Sequence, residues 1–269
     1  MTMRFTVIGA GPPVLFLHGI PTGPRLWDHV VRVLSAQFTC VVVDLVDLGL
    51  MPDPARSVPR ASEPTADVYA NALDALRADL SVSSWHLVGH DAGCVLAVHY
   101  AARFPDQVRG LVLCSAPIFP DFQVPWFFRL VRTPIIGELW APLVLQTVWT
   151  FLRRTLGRID PVNEEIVESF RAQFRGRVGV RRFAGLLRWG DPLDVLAGTA
   201  ALLPLISAPA LLLHGRRERA IPPSFALRAA SAIPNATAVF LGSDHFVPLE
   251  CPASLCAAVL PFLLNTAAG

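Results

Sequence analysis

The stretch Gly89-His90-Asp91-Ala92-Gly93, entered directly from the apolar run Trp85-His86-Leu87-Val88, most narrows the folds open to this chain. A strand runs into a tight turn with glycine on both sides of a polar residue, and an alanine-rich apolar helix begins at Cys94. The glycines let the backbone reverse sharply, so the central side chain stands clear above the sheet. Such an elbow is where a nucleophile is displayed in an α/β protein. The residue displayed here is Asp91, where serine is usual, and that changes the expected chemistry.

The rest of the chain alternates in the same way. Short β-branched runs at Phe5-Ile8, Val14-Leu17, Cys40-Asp44, His86-Val88, Gly110-Cys114, Ala210-Leu213 and Ala238-Leu241 read as strands. Helical patterns fall at Leu26-Ser35, Ala66-Leu80, Cys94-Arg103, Ser224-Ala232 and Ala253-Leu264. Strands alternating with helices imply a mostly parallel central sheet flanked by helices, the α/β class. Between Pro117 and Ile206 the alternation stops, and helices are expected at Val124-Thr133, Gly137-Leu156, Pro161-Phe174 and Val178-Trp189. Residues 1–116 and 207–269 therefore read as the core, and 117–206 as an inserted helical cap. Ligands of open parallel sheets bind beyond the carboxyl ends of the strands, where a cap would exclude water.

Composition sets the outer limits. Hydrophobic residues make up 53% of 269 and charged residues 16%, ample for a large core and too apolar for disorder. A net charge of +2, carried by Arg without Lys and interleaved with carboxylates, argues against a nucleic-acid partner. The thiols Cys40, Cys94, Cys114, Cys251 and Cys256 are odd in number and lack metal-ligand spacing, which fits a reducing, cytoplasmic setting. Met1-Thr2-Met3-Arg4-Phe5 has no apolar signal region. The apolar run from Val195 to Leu213 is interrupted by Gly198, Pro204 and Pro209, so no transmembrane segment is expected. No metal and no cofactor is implied, and a monomer or homodimer is equally compatible.

Three further segments supply what an elbow enzyme requires. His18-Gly19-Ile20-Pro21 follows the second strand, where the N–H of Ile20 can join that of Ala92 in an oxyanion hole. Glu218 follows the strand ending Leu212-Leu213-His214, and His245 follows the last strand. Asp91, Glu218 and His245 thus run in the order nucleophile, acid, base. Asp44 reads as loop-fixing. His90 lines the elbow and reads equally as packing or as ligand-facing; with Trp126, Trp140 and Trp149 of the cap it is a candidate for lining a substrate site.

On these motifs the chain resembles the α/β-hydrolase fold family over nearly its whole length. Asp at the elbow places it beside haloalkane dehalogenases, epoxide hydrolases and haloacetate dehalogenases. His18-Gly19-Ile20-Pro21-Thr22 with Leu26-Trp27 resembles a dehalogenase oxyanion segment. Thr133-Pro134-Ile135-Ile136-Gly137-Glu138-Leu139 resembles a dehalogenase cap entry, and Gly215, Glu218 and Pro222 resemble the acid loop. The resemblance implies hydrolysis at a saturated carbon through an aspartyl ester.

Chemistry points the same way. A carboxylate is a poor acyl nucleophile, because an anhydride would result, but it can displace a leaving group from a saturated carbon. His245, oriented by Glu218, would then activate water against the ester. The chain departs from its relatives where they hold the leaving group. Ala92 stands where the family implies Trp or Arg, Ile20 where Asn is found, and Tyr69 and Tyr100 both lie outside the cap. Asp47 stands where the family has Gly. The leading expectation is a dehalogenase-like hydrolase of a small lipophilic substrate. Epoxide hydrolysis comes next, then a non-hydrolytic lyase, isomerase or cyclase, and last a non-catalytic binder of hydrophobic ligands.

Overall fold

The computed structural model describes residues 3–45, 66–188 and 192–267, so Asp47 and Trp189 lie outside the described residues. Strands β1 (Phe5–Ile8), β2 (Pro13–Leu17), β3 (Thr39–Val43), β4 (Trp85–His90), β5 (Val108–Cys114), β6 (Ala210–Gly215) and β7 (Ala236–Leu241) form one sheet in the order β1-β3-β2-β4-β5-β6-β7. Only β1 pairs antiparallel, against β3, and it is the exposed edge. β4 is buried throughout because β2 and β5 pair with it and helices cover both faces. A strand so placed reads as a continuous apolar run.

The period of two along each strand divides the core. Val14, Phe16, Val88 and Val112 face the side covered by α1 (Asp28–Leu34) and α11 (Pro252–Ala267). Leu15, Leu17, Leu87 and Leu111 face the side covered by α2 (Ala66–Asp79), α3 (Ala92–Arg103) and α9 (Ser224–Ala232). From β2 the chain steps outward to β3, then crosses back to β4 on the other side of β2. The crevice opened by that reversal, past the ends of β2 and β4, is the standard ligand position in such sheets. Ile20 and Asp91 sit at those two strand ends.

Between β5 and β6 lie α4 (Trp126–Val131), α5 (Ile136–Leu156), α6 (Val162–Ala172), α7 (Gly176–Arg188) and α8 (Pro192–Leu202). α5 is the centre of this segment, with α4, α6 and α7 packed on it. α8 was not anticipated, and it rests on α3 of the sheet layer instead of on the other inserted helices. Among the described residues, no helix is long and apolar enough to cross a membrane. All five thiols are free.

Candidate active site

Asp91 occupies the turn between β4 and α3 with φ of 50° and ψ of −122°, a left-handed conformation that non-glycine residues rarely take. Strain of this kind is held only where surrounding contacts enforce it. One is the bond from the Asp91 N–H to the Cys114 carbonyl (3.1 Å). Another is the close approach of Gly93 to β2, where any Cβ would overlap the Leu17 carbonyl.

The loop after β2 meets Asp91 from the opposite side. The Ile20 N–H donates to Asp91 Oδ2 at 3.0 Å, and the Ala92 N–H lies near enough to the carboxylate to favour its charge. The loop is held in that pose by the Gly19 carbonyl, which accepts from Thr22 Oγ1 (2.9 Å) and from the Thr22 N–H (3.2 Å). Gly19 itself has no room for a side chain, since a Cβ would collide with the Asp91 carboxyl group. His18 Nε2 accepts from the Leu45 N–H at 3.0 Å, so its Nδ1 carries the proton given to the Gly19 carbonyl at 2.9 Å. Asp44 lies 3.7 Å from that same Nε2.

His245 projects from the loop after β7, and its Nδ1 lies 3.1 and 3.2 Å from the two oxygens of Glu218. Glu218 is buried, and the N–H groups of Ala220 and Ile221 also donate to its Oε1 at 3.2 Å. Burial works against charge on Glu218, but the His245 hydrogen bond and charge prevail and hold its pKa down at about 2. Burial likewise opposes charge on His245; Glu218, Asp91 and Glu250 outweigh it and raise the pKa to about 9. Asp91 shifts the other way. Loss of solvent raises its pKa, only partly offset by His245 and the Ile20 and Ala92 N–H groups.

A second carboxylate, not anticipated from sequence, steadies the His245 loop. The short helix α10 (Val247–Glu250) turns Glu250 back so that its Oε2 accepts from the Asp244 N–H (2.7 Å) and its Oε1 from the Phe246 N–H (2.8 Å). The peptide groups on both sides of His245 are thereby clamped by one side chain. The only trace in the sequence is a carboxylate five positions after the histidine.

Asp91, Ala92, Ile20 and His245 line one cavity of about 760 Å³, whose remaining wall is mostly apolar and includes residues of α4, α5, α7 and α8. Trp126 and Trp140 are part of that wall, and the Trp140 indole N–H has no partner among the described residues. Two expected lining residues are elsewhere. Trp149 stacks on Phe174 (6.0 Å between centroids) within the core, because it shares the inner stripe of α5 with Leu145, Leu152 and Leu156. His90 is wholly buried beneath the loop after β7. Its Nε2 donates to the His245 carbonyl (3.0 Å), and burial lowers its pKa to about 3, so it is a neutral prop. Tyr69 and Tyr100 are core residues, and Tyr100 donates to Asp74. Among the described residues no cluster of His, Cys, Asp or Glu could hold a metal ion.

Comparison with known proteins agrees with the fold. A family model for the α/β-hydrolase fold matches residues 12–252. A haloalkane dehalogenase of Bradyrhizobium diazoefficiens is 30% identical over 274 residues, covering 92% of this chain and 85% of that protein. One of Mesorhizobium japonicum is 30% identical, with 90% and 81% covered. The crystal structure of a loop variant of a Bradyrhizobium elkanii haloalkane dehalogenase superposes with a TM-score of 0.77 at 27% identity, covering 99% of this chain and 94% of that one. The chain belongs to the α/β-hydrolase family, in its haloalkane dehalogenase-like branch.

Proposed function

We propose that this hydrolase acts at a saturated carbon through an ester on Asp91, with His245 and Glu218 as base and acid of the triad and residues 117–206 as the cap. The observation that carries the reading is the pose of Asp91: one carboxylate oxygen is occupied by the Ile20 N–H while the group faces a cavity shared with His245. The free oxygen attacks carbon, a C–O bond forms, and the carbon–halogen bond breaks to release halide. Water then adds to the Asp91 carboxyl carbon as His245 takes its proton. The oxyanion forms on the oxygen already held by the Ile20 N–H, with the Ala92 N–H beside the same carboxyl group. Collapse expels the alcohol, protonated by His245, the Asp91 carboxyl group gives up the remaining proton to solvent, and the sum is organohalide plus water giving alcohol plus hydrogen halide.

The apolar wall suits a small lipophilic substrate without a charged head. Ile20 and Ala92 offer the leaving halide no side-chain donor, so an indole of the cavity wall is the candidate, Trp140 first, whose unpartnered N–H is closed off here and would reach the halide on a turn of the ring. The free thiols suit a reducing, cytoplasmic setting. Epoxide opening has weaker support, because neither tyrosine lines the cavity.

The test is His245→Ala incubated with 1-bromohexane, 1,2-dibromoethane and styrene oxide, followed by intact mass measurement. The expected product is an adduct of substrate minus hydrogen bromide, absent in the Asp91→Asn, His245→Ala double variant. A whole-epoxide adduct with no halide adduct would assign the epoxide chemistry instead. No adduct from either class would overturn the ester mechanism and favour a non-hydrolytic reaction or simple ligand binding.

A further inference from the structure

Helix α5 is apolar on two opposite faces. Its inner stripe, including Val144, Leu145, Leu152 and Leu156, is buried. Its outer stripe, Ile136, Leu139, Leu143 and Phe151, recurs at helical spacing and is exposed, with Leu139 at 79%. Ile135 (77%) extends the stripe at its start, and Trp126 of α4 (68%) lies beside it, its ring 6.3 Å from that of Trp140. Exposed apolar groups are ordinary when scattered, but a contiguous run of large ones marks a surface that meets a partner.

Both ends of the stripe carry net positive charge, since Glu138 at its start is paired with two cations, Arg181 and Arg188 (3.6 Å each). Arg154 falls on the same helix face, two turns after Thr147, with Arg158 beyond it, and Arg129 follows Trp126 by one turn. All three are exposed, and none has an ion pair or side-chain hydrogen bond among the described residues. Residues 129–188 hold eleven Arg against five carboxylates. The cavity wall shares Trp126, Leu143, Thr147 and Phe151 with this stripe, so the cavity that holds Asp91 adjoins it.

We propose that this face seats the protein on an anionic phospholipid bilayer, with Leu139, Leu143, Phe151 and Trp126 among the acyl chains and Arg129, Arg154 and Arg158 at the lipid phosphates. An apolar stripe rimmed by Arg is the pattern of an interfacial helix that lies in the bilayer surface without crossing it. A second copy of the chain suits the face less well. Packing α5 on α5 sets cationic ends against cationic ends whichever way the helices run. Lipophilic substrate would pass from the acyl region into the cavity without crossing water; that part rests on the function proposed above, whereas the docking does not.

The full chain is sedimented with vesicles of phosphatidylcholine mixed with phosphatidylglycerol and with vesicles of phosphatidylcholine alone. The expected result is co-sedimentation with the anionic vesicles, weakened by salt. Arg154→Gln should weaken it about fivefold, and Leu139→Asp should abolish it without changing melting temperature or turnover of a water-soluble organohalide. No binding to either vesicle overturns the proposal. So does a dimer by sedimentation velocity that Leu139→Asp dissociates, which assigns the face to a second copy. Turnover is read separately, so failure of the docking and failure of the proposed chemistry are told apart.

Discussion

Replacing Glu250 by Gln tests how the base is held. The carboxylate accepts two backbone N–H groups, at 2.7 and 2.8 Å, one from each side of His245. Glutamine has the same shape but only one acceptor, so its amide must face one N–H with another N–H. Losing one buried hydrogen bond to a charged group costs about 1.5–3 kcal/mol. Burial disfavours the Glu250 charge and raises its pKa, so part of that cost is returned; at about 2–4 °C per kcal/mol for a chain of this size, the melting temperature should fall by no more than about 5 °C. The chemical effect should be larger in proportion. A misplacement of about 1 Å can cost 10²-fold in rate, and the loop that Glu250 clamps aims His245 at its target. In single-turnover experiments on a bromoalkane, ester formation should stay within about threefold of wild type while ester hydrolysis slows about 10- to 100-fold. Ester should then accumulate in the intact mass. The Glu250 charge also helps to raise the His245 pKa. Hydrolysis requires neutral His245, so removing that charge should move the acid limb of its pH profile to lower pH. A folded variant that hydrolyses ester at the wild-type rate, with an unmoved acid limb, would refute the reasoning.

Other outcomes follow from the same site. Asp91→Asn should raise the melting temperature at neutral pH while abolishing turnover, because burial disfavours the charged carboxylate; a lower melting temperature would contradict that cost. Glu218, held at about 2 against an ordinary 4.5, contributes stability above pH 4.5 that is lost as pH falls toward 2. His245, raised from 6.5 to about 9, contributes stability below pH 6.5 that is lost as pH rises toward 9. Melting curves across pH should thus decline on both sides, and Glu218→Gln should flatten both declines. Trp140→Phe keeps the cavity wall but removes an indole N–H, and should slow ester formation by roughly 10²-fold while leaving ester hydrolysis unchanged; equal effects on both steps would return Trp140 to a packing role.

Much of this architecture is legible from local pattern. β1 and α9 begin and end where the residue runs predict. The elbow announces itself because Gly89 and Gly93 flank a polar residue between a strand and a helix. What the sequence hides is decided by tertiary contact. Trp149 and Trp140 lie nine residues apart on one helix, yet Phe174, supplied from beyond α6, claims one while the other reaches the cavity wall. His90 ends a wholly buried strand, and only the return of the β7 loop above it decides between ligand and prop. α8 carries apolar residues all round, so no stripe marks it as a helix; its place on α3 does. Glu250 reads as an ordinary surface charge until α10 folds it back.

The electrostatics of Asp91 and His245 have a consequence for timing. While Asp91 is ionised, its charge is among those that keep His245 protonated at neutral pH. A protonated imidazole cannot take a proton from water, so the base is switched off while the nucleophile is free. Once the carboxylate becomes a neutral ester in the proposed reaction, that support vanishes and the pKa of His245 falls. Glu218 and Glu250 still raise it, so the change is one of degree: the imidazole gives up its proton to solvent more readily once there is an ester to cleave. The charge spent in the first step helps to arm the second, a bias that needs no moving part.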